Sequence, residues 1–140
     1  GAGKLAEAGR QYKFFKGIEN EPRYEQALAL TDYVVNEVKA GRIGQVQQIV
    51  AALGQDWQRG TKGSWRQDPK LSEGGQFNDS GSHIVDVCLF ITGLEPREVF
   101  AQFENRGSRV DINGSAVVRL EGGALLTLNI GGNTPGFWRP

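Results

Sequence analysis

The chain has 140 residues, enough for one domain around a single core. Sixteen Lys and Arg balance sixteen Asp and Glu, so net charge gives no pull toward nucleic acid or an anionic membrane. The longest apolar run, "IVDVCLFI", is interrupted by Asp86 and falls far short of the roughly 20 residues of a membrane span. The single cysteine, Cys88, excludes an internal disulfide and fits a reducing compartment, here the cytoplasm. The first ten residues lack the apolar core of a signal peptide. Methionine is absent and "GGNTPGFWRP" closes nothing obvious, so the chain reads as a piece of a larger protein.

In chain order, "GKLAEAGRQ" reads as the last turns of a helix and "YKFFKGIE" as a short strand. A clear amphipathic helix follows, with Pro22 near its start. Tyr24, Ala27, Leu28, Thr31, Val34, Val35 and Val38 recur at three- and four-residue spacing, and Gly41 suits a left-handed cap. "QVQQIVAAL" reads as a strand before Gly54. Positions 54–75, rich in glycine and carrying Trp57 and Trp65, form a long irregular stretch of the kind that often carries function. Asn78 to about Thr92 is helical and stops at Gly93. "EVFAQFE", "SAVVRLE" and "ALLTLNI" are alternating strands, the last two joined by a two-residue turn at Gly122-Gly123. The fold class is α+β: an open, mostly antiparallel β-sheet with helices packed on one face.

The only histidine, His83, follows Asp79 by four residues. On a helix, Asp79, Ser82, His83 and Asp86 share a polar stripe, while Ile84, Cys88 and Ile91 mark a buried one. The second half is apolar nearly all round, which predicts a largely buried helix with its polar stripe along a cleft. Two readings of this stretch stay open. Asn78 or Asp79 can simply cap the helix, with His83 a hydrogen-bonded surface residue. Alternatively a neutral imidazole near the helix start serves as a general base, with the carboxylate one turn away orienting it or holding a substrate hydroxyl. Gly74 and Gly75 would then let a ligand approach the backbone. No metal is expected, since one histidine and one cysteine leave little beyond carboxylates for zinc. Cys88 belongs in the core. Trp57 and Trp65 with Arg59, Lys62 and Arg66 suit a sugar-type ligand, and neutrality with nearby acids argues against nucleic acid.

The run from Gly63 to Gly93 resembles the Gfo/Idh/MocA family of NAD(P)-dependent oxidoreductases, whose members carry a pattern close to W-R-x-D-P-x-x-x-G-G-G-x-x-x-D-x-G-x-H-x-x-D. Trp65, Arg66, Asp68, Pro69, Gly74, Gly75, Asp79, Gly81, His83 and Asp86 match, and Glu73 stands where the pattern has its first glycine. "VVNEVKAGRIGQV" is similar to the family's helix and its exit into the sheet, and the likeness runs from about Gly17 to Ile130. The resemblance implies that residues 1–19 are the tail of an absent Rossmann domain. Residues 20–140 would then be the C-terminal substrate-binding and oligomerisation domain, shortened at its C-terminal end. It implies an intact enzyme that is a dehydrogenase of a sugar or cyclitol CH–OH group, using NAD or NADP bound by the absent domain. No cofactor is expected on this piece, which would itself be inactive. By the same resemblance His83 is the base and Asp79 the residue that orients the hydroxyl, with Trp65, Arg66, Asn78 and Trp57 around the substrate. A lysine from an upstream Glu-Lys-Pro motif, which this chain lacks, would complete the triad. The expected partners are a small polyol or sugar and further copies of the chain through the sheet face. The competing expectation is a non-catalytic sugar-binding or dimerisation module.

Overall fold

The computed structural model describes residues 22–135, with side chains from residue 26 onward; the helix end and strand read in residues 4–19 lie outside this range. The described residues fall into two units, divided between Gln45 and Val46. In the first, helix α1 (Pro22–Lys39) begins at the proline and ends in a turn where Gly41 adopts φ +67°, the left-handed conformation that glycine takes without a Cβ penalty. Arg42 reaches back to Glu37 through two N–H donors at 2.7 and 2.6 Å.

The second unit is built on a four-stranded sheet of β1 (Gln48–Gly54), β2 (Pro96–Glu104), β3 (Asn113–Leu120) and β4 (Leu125–Gly131), in the order β1-β4-β3-β2. β2–β3 and β3–β4 are antiparallel, and β1 lies parallel to β4. The sheet is therefore mixed and open, in an α+β frame. Strand alternation sets its two faces. Leu126, Leu128 and Ile130 are 0–3% exposed and, with Ala116 and Val118, form the inner face. The hairpin turn takes three residues, Glu121–Gly123, closed by the Leu120 N–H donating to the Ala124 carbonyl at 2.8 Å. Gly122 and Gly123 both adopt positive φ, and the third loop residue explains why two did not suffice.

Between β1 and β2, positions 54–75 are not irregular: they contain helix α2 (Trp57–Gly60), a 3-10 turn (Trp65–Gln67) and helix α3 (Pro69–Ser72). A π-turn (Phe77–Gly81) and helix α4 (Ser82–Thr92) follow, where a helix was expected from Asn78 to about Thr92. Local side-chain hydrogen bonds bound the short helices: Thr61 Oγ1 donates to the Trp57 carbonyl at 2.8 Å after α2, and Asp68 starts α3 by accepting from the Lys70 N–H. α4 packs Ile84, Val85, Cys88 and Leu89 onto the inner sheet face and ends at Gly93 (φ +67°). It is less buried than its composition suggests. Val87 is 50% and Phe90 44% exposed, so only one side of the helix is covered.

Candidate functional site

The site grows from the way the α4 helix is started. Neither Asn78 nor Asp79 caps it. The helical backbone begins earlier, with Gln76 already in the right-handed region, and the cap comes from 35 residues away. The Asp111 carboxylate accepts the Gly75 N–H at 2.7 Å and the Phe77 N–H at 2.8 Å, while its carbonyl accepts the Gln76 N–H at 2.9 Å. A carboxylate at this position satisfies the orphan donors and faces the positive end of the dipole. Nothing in the sequence around "RVDING" signals the role, because the pairing is purely tertiary.

This cap also explains the double glycine. A Cβ on Gly75 would fall on the Asp111 carbonyl, and one on Gly74 would come within 2.7 Å of Asn78 Cβ. Gly75 makes room for the Asp111 backbone, and Gly74 for the Asn78 side chain. Farther along, the Phe77 ring packs edge-on against Phe103 at 5.1 Å, over Gly114 of β3, where a Cβ would meet both rings within 3 Å. The start of the π-turn is thus held by both the Asp111 cap and the Phe77 ring contact.

With the cap supplied elsewhere, Asp79 is released for other partners. Its Oδ2 accepts the Trp57 indole N–H at 2.7 Å and the Arg66 Nε–H at 3.2 Å. Trp57 is 6% exposed and packs with Val110 and Ile112. Trp65 is 53% exposed, and the Arg66 guanidinium lies 4.7 Å over its ring. Three sequence-selected residues, Trp57, Arg66 and Asp79, therefore meet at one carboxylate, with Trp65 stacked on the outside. His83 is exposed in the first turn of α4, one turn beyond Asp79. Asn78 is exposed and donates to the Ser72 carbonyl at 3.2 Å.

The expected polar stripe does not stay together along one cleft. A groove of about 620 Å³ is lined by Asn78, Ser82, Val85, Asp86, Leu89 and Phe103, without Asp79 or His83. For Asp79 the π-turn is the physical reason: its wider i→i+5 bonding makes the 100° angular count across Gly81 unreliable. Cys88 sits in the core, and burial pushes its thiol pKa up. The Gly75, Gln76 and Phe77 amides at the α4 start are all taken by Asp111 and so do not offer donors to a phosphate. Among the described residues there is no group of three or more His, Cys, Asp or Glu able to hold a metal, and no helix long and apolar enough to cross a membrane.

The site thus combines an open mixed sheet, α4 on one face and a tryptophan–arginine–aspartate cluster just before that helix. Residues 33–139 match the family model described as GFO/IDH/MocA C-terminal domain, and the chain belongs to that family. Solved structures share the fold. An inositol dehydrogenase homolog from Azotobacter vinelandii, complexed with NAD+, superposes with a TM-score of 0.69 at 17% identity, over 78% of this chain and 31% of that one. An oxidoreductase domain protein from Kribbella flavida gives 0.68 at 27% identity, over 76% and 33%. A levoglucosan dehydrogenase complexed with NADH and L-sorbose gives 0.66 at 22% identity, over 74% and 31%. The chain thus corresponds to about a third of each of these structures. No curated protein sequence matches it.

Proposed function

We propose that the intact protein is an NAD(P)-dependent oxidoreductase acting on a CH–OH group of a sugar or cyclitol, and that this chain is its substrate-binding and oligomerisation domain. The observation that carries the reading is the Asp79 carboxylate, held by Trp57 and Arg66 one turn before the only histidine. That geometry supports hydroxyl recognition: a carboxylate whose Oδ2 is fixed by two donors turns Oδ1 toward a substrate hydroxyl. His83 then takes the hydroxyl proton, the step that makes loss of hydride from the same carbon favourable. The hydride acceptor is held outside the described residues, which supply proton handling and orientation only. Trp65, exposed and stacked on Arg66, gives a sugar ring an apolar face, and Asn78 lies on the π-turn beside Asp79. The complex of the levoglucosan dehydrogenase with L-sorbose supports the substrate class by analogy.

Residues 1–19 are read as the tail of the nucleotide-binding domain and 20–140 as the domain proper, in a cytoplasmic enzyme. The chain alone is inactive on this reading. Assembly is supported by the outer sheet face, where register aligns Phe100, Val117, Thr127 and Val50 in one row across all four strands. Val50 is 70% and Phe100 67% exposed.

The test is a panel of sugars and cyclitols offered to the intact protein with NAD+ and NADP+, followed by the absorbance of the reduced nicotinamide. Turnover of a polyol supports the enzyme. Saturable sugar binding with no turnover across the panel would establish the non-catalytic binding module in its place.

A further inference from the structure

We infer that Trp57 is the positioning residue of the site: its buried indole fixes the Asp79 carboxylate in the orientation that presents Oδ1 to the substrate. The inference rests on the reading of Asp79 as the hydroxyl-binding group and adds a residue outside the motif that marks the site.

Trp57 is the best anchored of the two donors. It opens α2 and is 6% exposed against Val110 and Ile112, the latter fully buried. Its carbonyl accepts both the Thr61 N–H at 2.9 Å and the Thr61 Oγ1–H at 2.8 Å. The next residue, Gln58, ties α2 to the end of the sheet, its N–H donating to the Gly132 carbonyl at 2.7 Å. The indole therefore has little freedom to tilt. It carries one donor and no acceptor, and that donor meets Asp79 Oδ2 at 2.7 Å, a short distance for an N–H···O bond.

Arg66 offers a weaker hold. Its Nε lies 3.2 Å from the same oxygen, its side chain is 41% exposed, and it rests on an exposed ring. A guanidinium so placed adjusts to what arrives, whereas the indole does not. Both donors fall on Oδ2, so the rotation of the carboxylate is set by the rigid one. A core role alone would need only an aromatic ring between Val110 and Ile112, which phenylalanine supplies.

The test is a double-mutant cycle in the intact protein on kcat/KM for a polyol substrate, using Trp57→Phe and Asp79→Asn alone and together. A positioning role predicts a loss of about 10²-fold for Trp57→Phe. In the Asp79→Asn background the same change costs no more than about 2-fold, because the group it acts through has been altered. The loss falls mainly on kcat, since the other substrate contacts remain. Equal losses in both backgrounds would overturn the inference and leave Trp57 a core residue. Native kcat/KM in Asp79→Asn alone would instead overturn the underlying reading of Asp79. Should Trp57→Phe not fold, indole proton exchange followed by NMR decides: faster exchange of the Trp57 proton in Asp79→Ala supports the contact, and unchanged protection overturns it.

Discussion

Single residues at the start of α4 carry more of the structure than their exposure suggests. Asp111 accepts two backbone N–H groups with its carboxylate, each a charge-assisted bond at 2.7–2.8 Å. Removing it leaves those donors without their partner, so Asp111→Ala should lower unfolding stability by roughly 1–3 kcal/mol in urea titration. Glu73 has the opposite character. It holds φ +57°, a conformation that disfavours any residue with a Cβ, at the position where the resembled pattern has glycine. The left-handed penalty of roughly 1–2 kcal/mol outweighs the extra unfolded-state entropy of glycine, roughly 0.5–1 kcal/mol. Glu73→Gly should therefore raise the midpoint of thermal unfolding, with a gain of about 0.5–1 kcal/mol; a lower midpoint would show that the backbone relaxes elsewhere. The sequence pattern marked both Glu73 and the double glycine, but the reason for each is a φ angle and a backbone contact 36 residues away.

At the scale of elements, what was legible in the sequence is what depends on local periodicity. α1 starts at its proline, and the burial of Leu126, Leu128 and Ile130 follows the alternation of β4. The short elements between Trp57 and Ser72 were not legible, because none is long enough to show a period and each is closed by side-chain bonds such as Thr61 to Trp57. The π-turn escaped for the same reason, and with it the division of the polar residues between the Asp79 cluster and the Asn78–Ser82–Asp86 groove. The end of α1 offers a pH test. The Arg42 side chain, by hydrogen bond first and charge second, holds the Glu37 carboxyl below its usual range. A depressed carboxylate stabilises fully above its unfolded value, about 4.3, and loses that contribution as pH falls through the lower folded value. The Arg42 Nε–H resonance should thus stay constant from pH 7 to about 5 and shift only in the acid range below about 4; a shift centred near neutrality would contradict the pairing.

The whole molecule presents two different faces of one sheet. The inner face is covered by α4, and the outer carries the row Phe100, Val117, Thr127 and Val50. Exposed apolar area of that kind marks an interaction surface, and a second copy of the same face is the proposed occupant. Val117 lies centrally in the row, and a lysine there points into solvent in a monomer. Val117→Lys should convert an oligomer of the intact protein to smaller species in light scattering, with little change in thermal stability of the monomer. An unchanged mass would place the interface elsewhere.

On the proposed reading Asp79 and His83 perform chemistry rather than start a helix, and Asp111, not Asp79, supplies the cap. The most direct measurement is kcat of the intact protein with His83→Ala on a polyol substrate that the native protein oxidises. Loss of a general base predicts a fall of about 10²–10⁴-fold with a smaller change in KM. Native kcat in a folded His83→Ala protein would contradict the assignment.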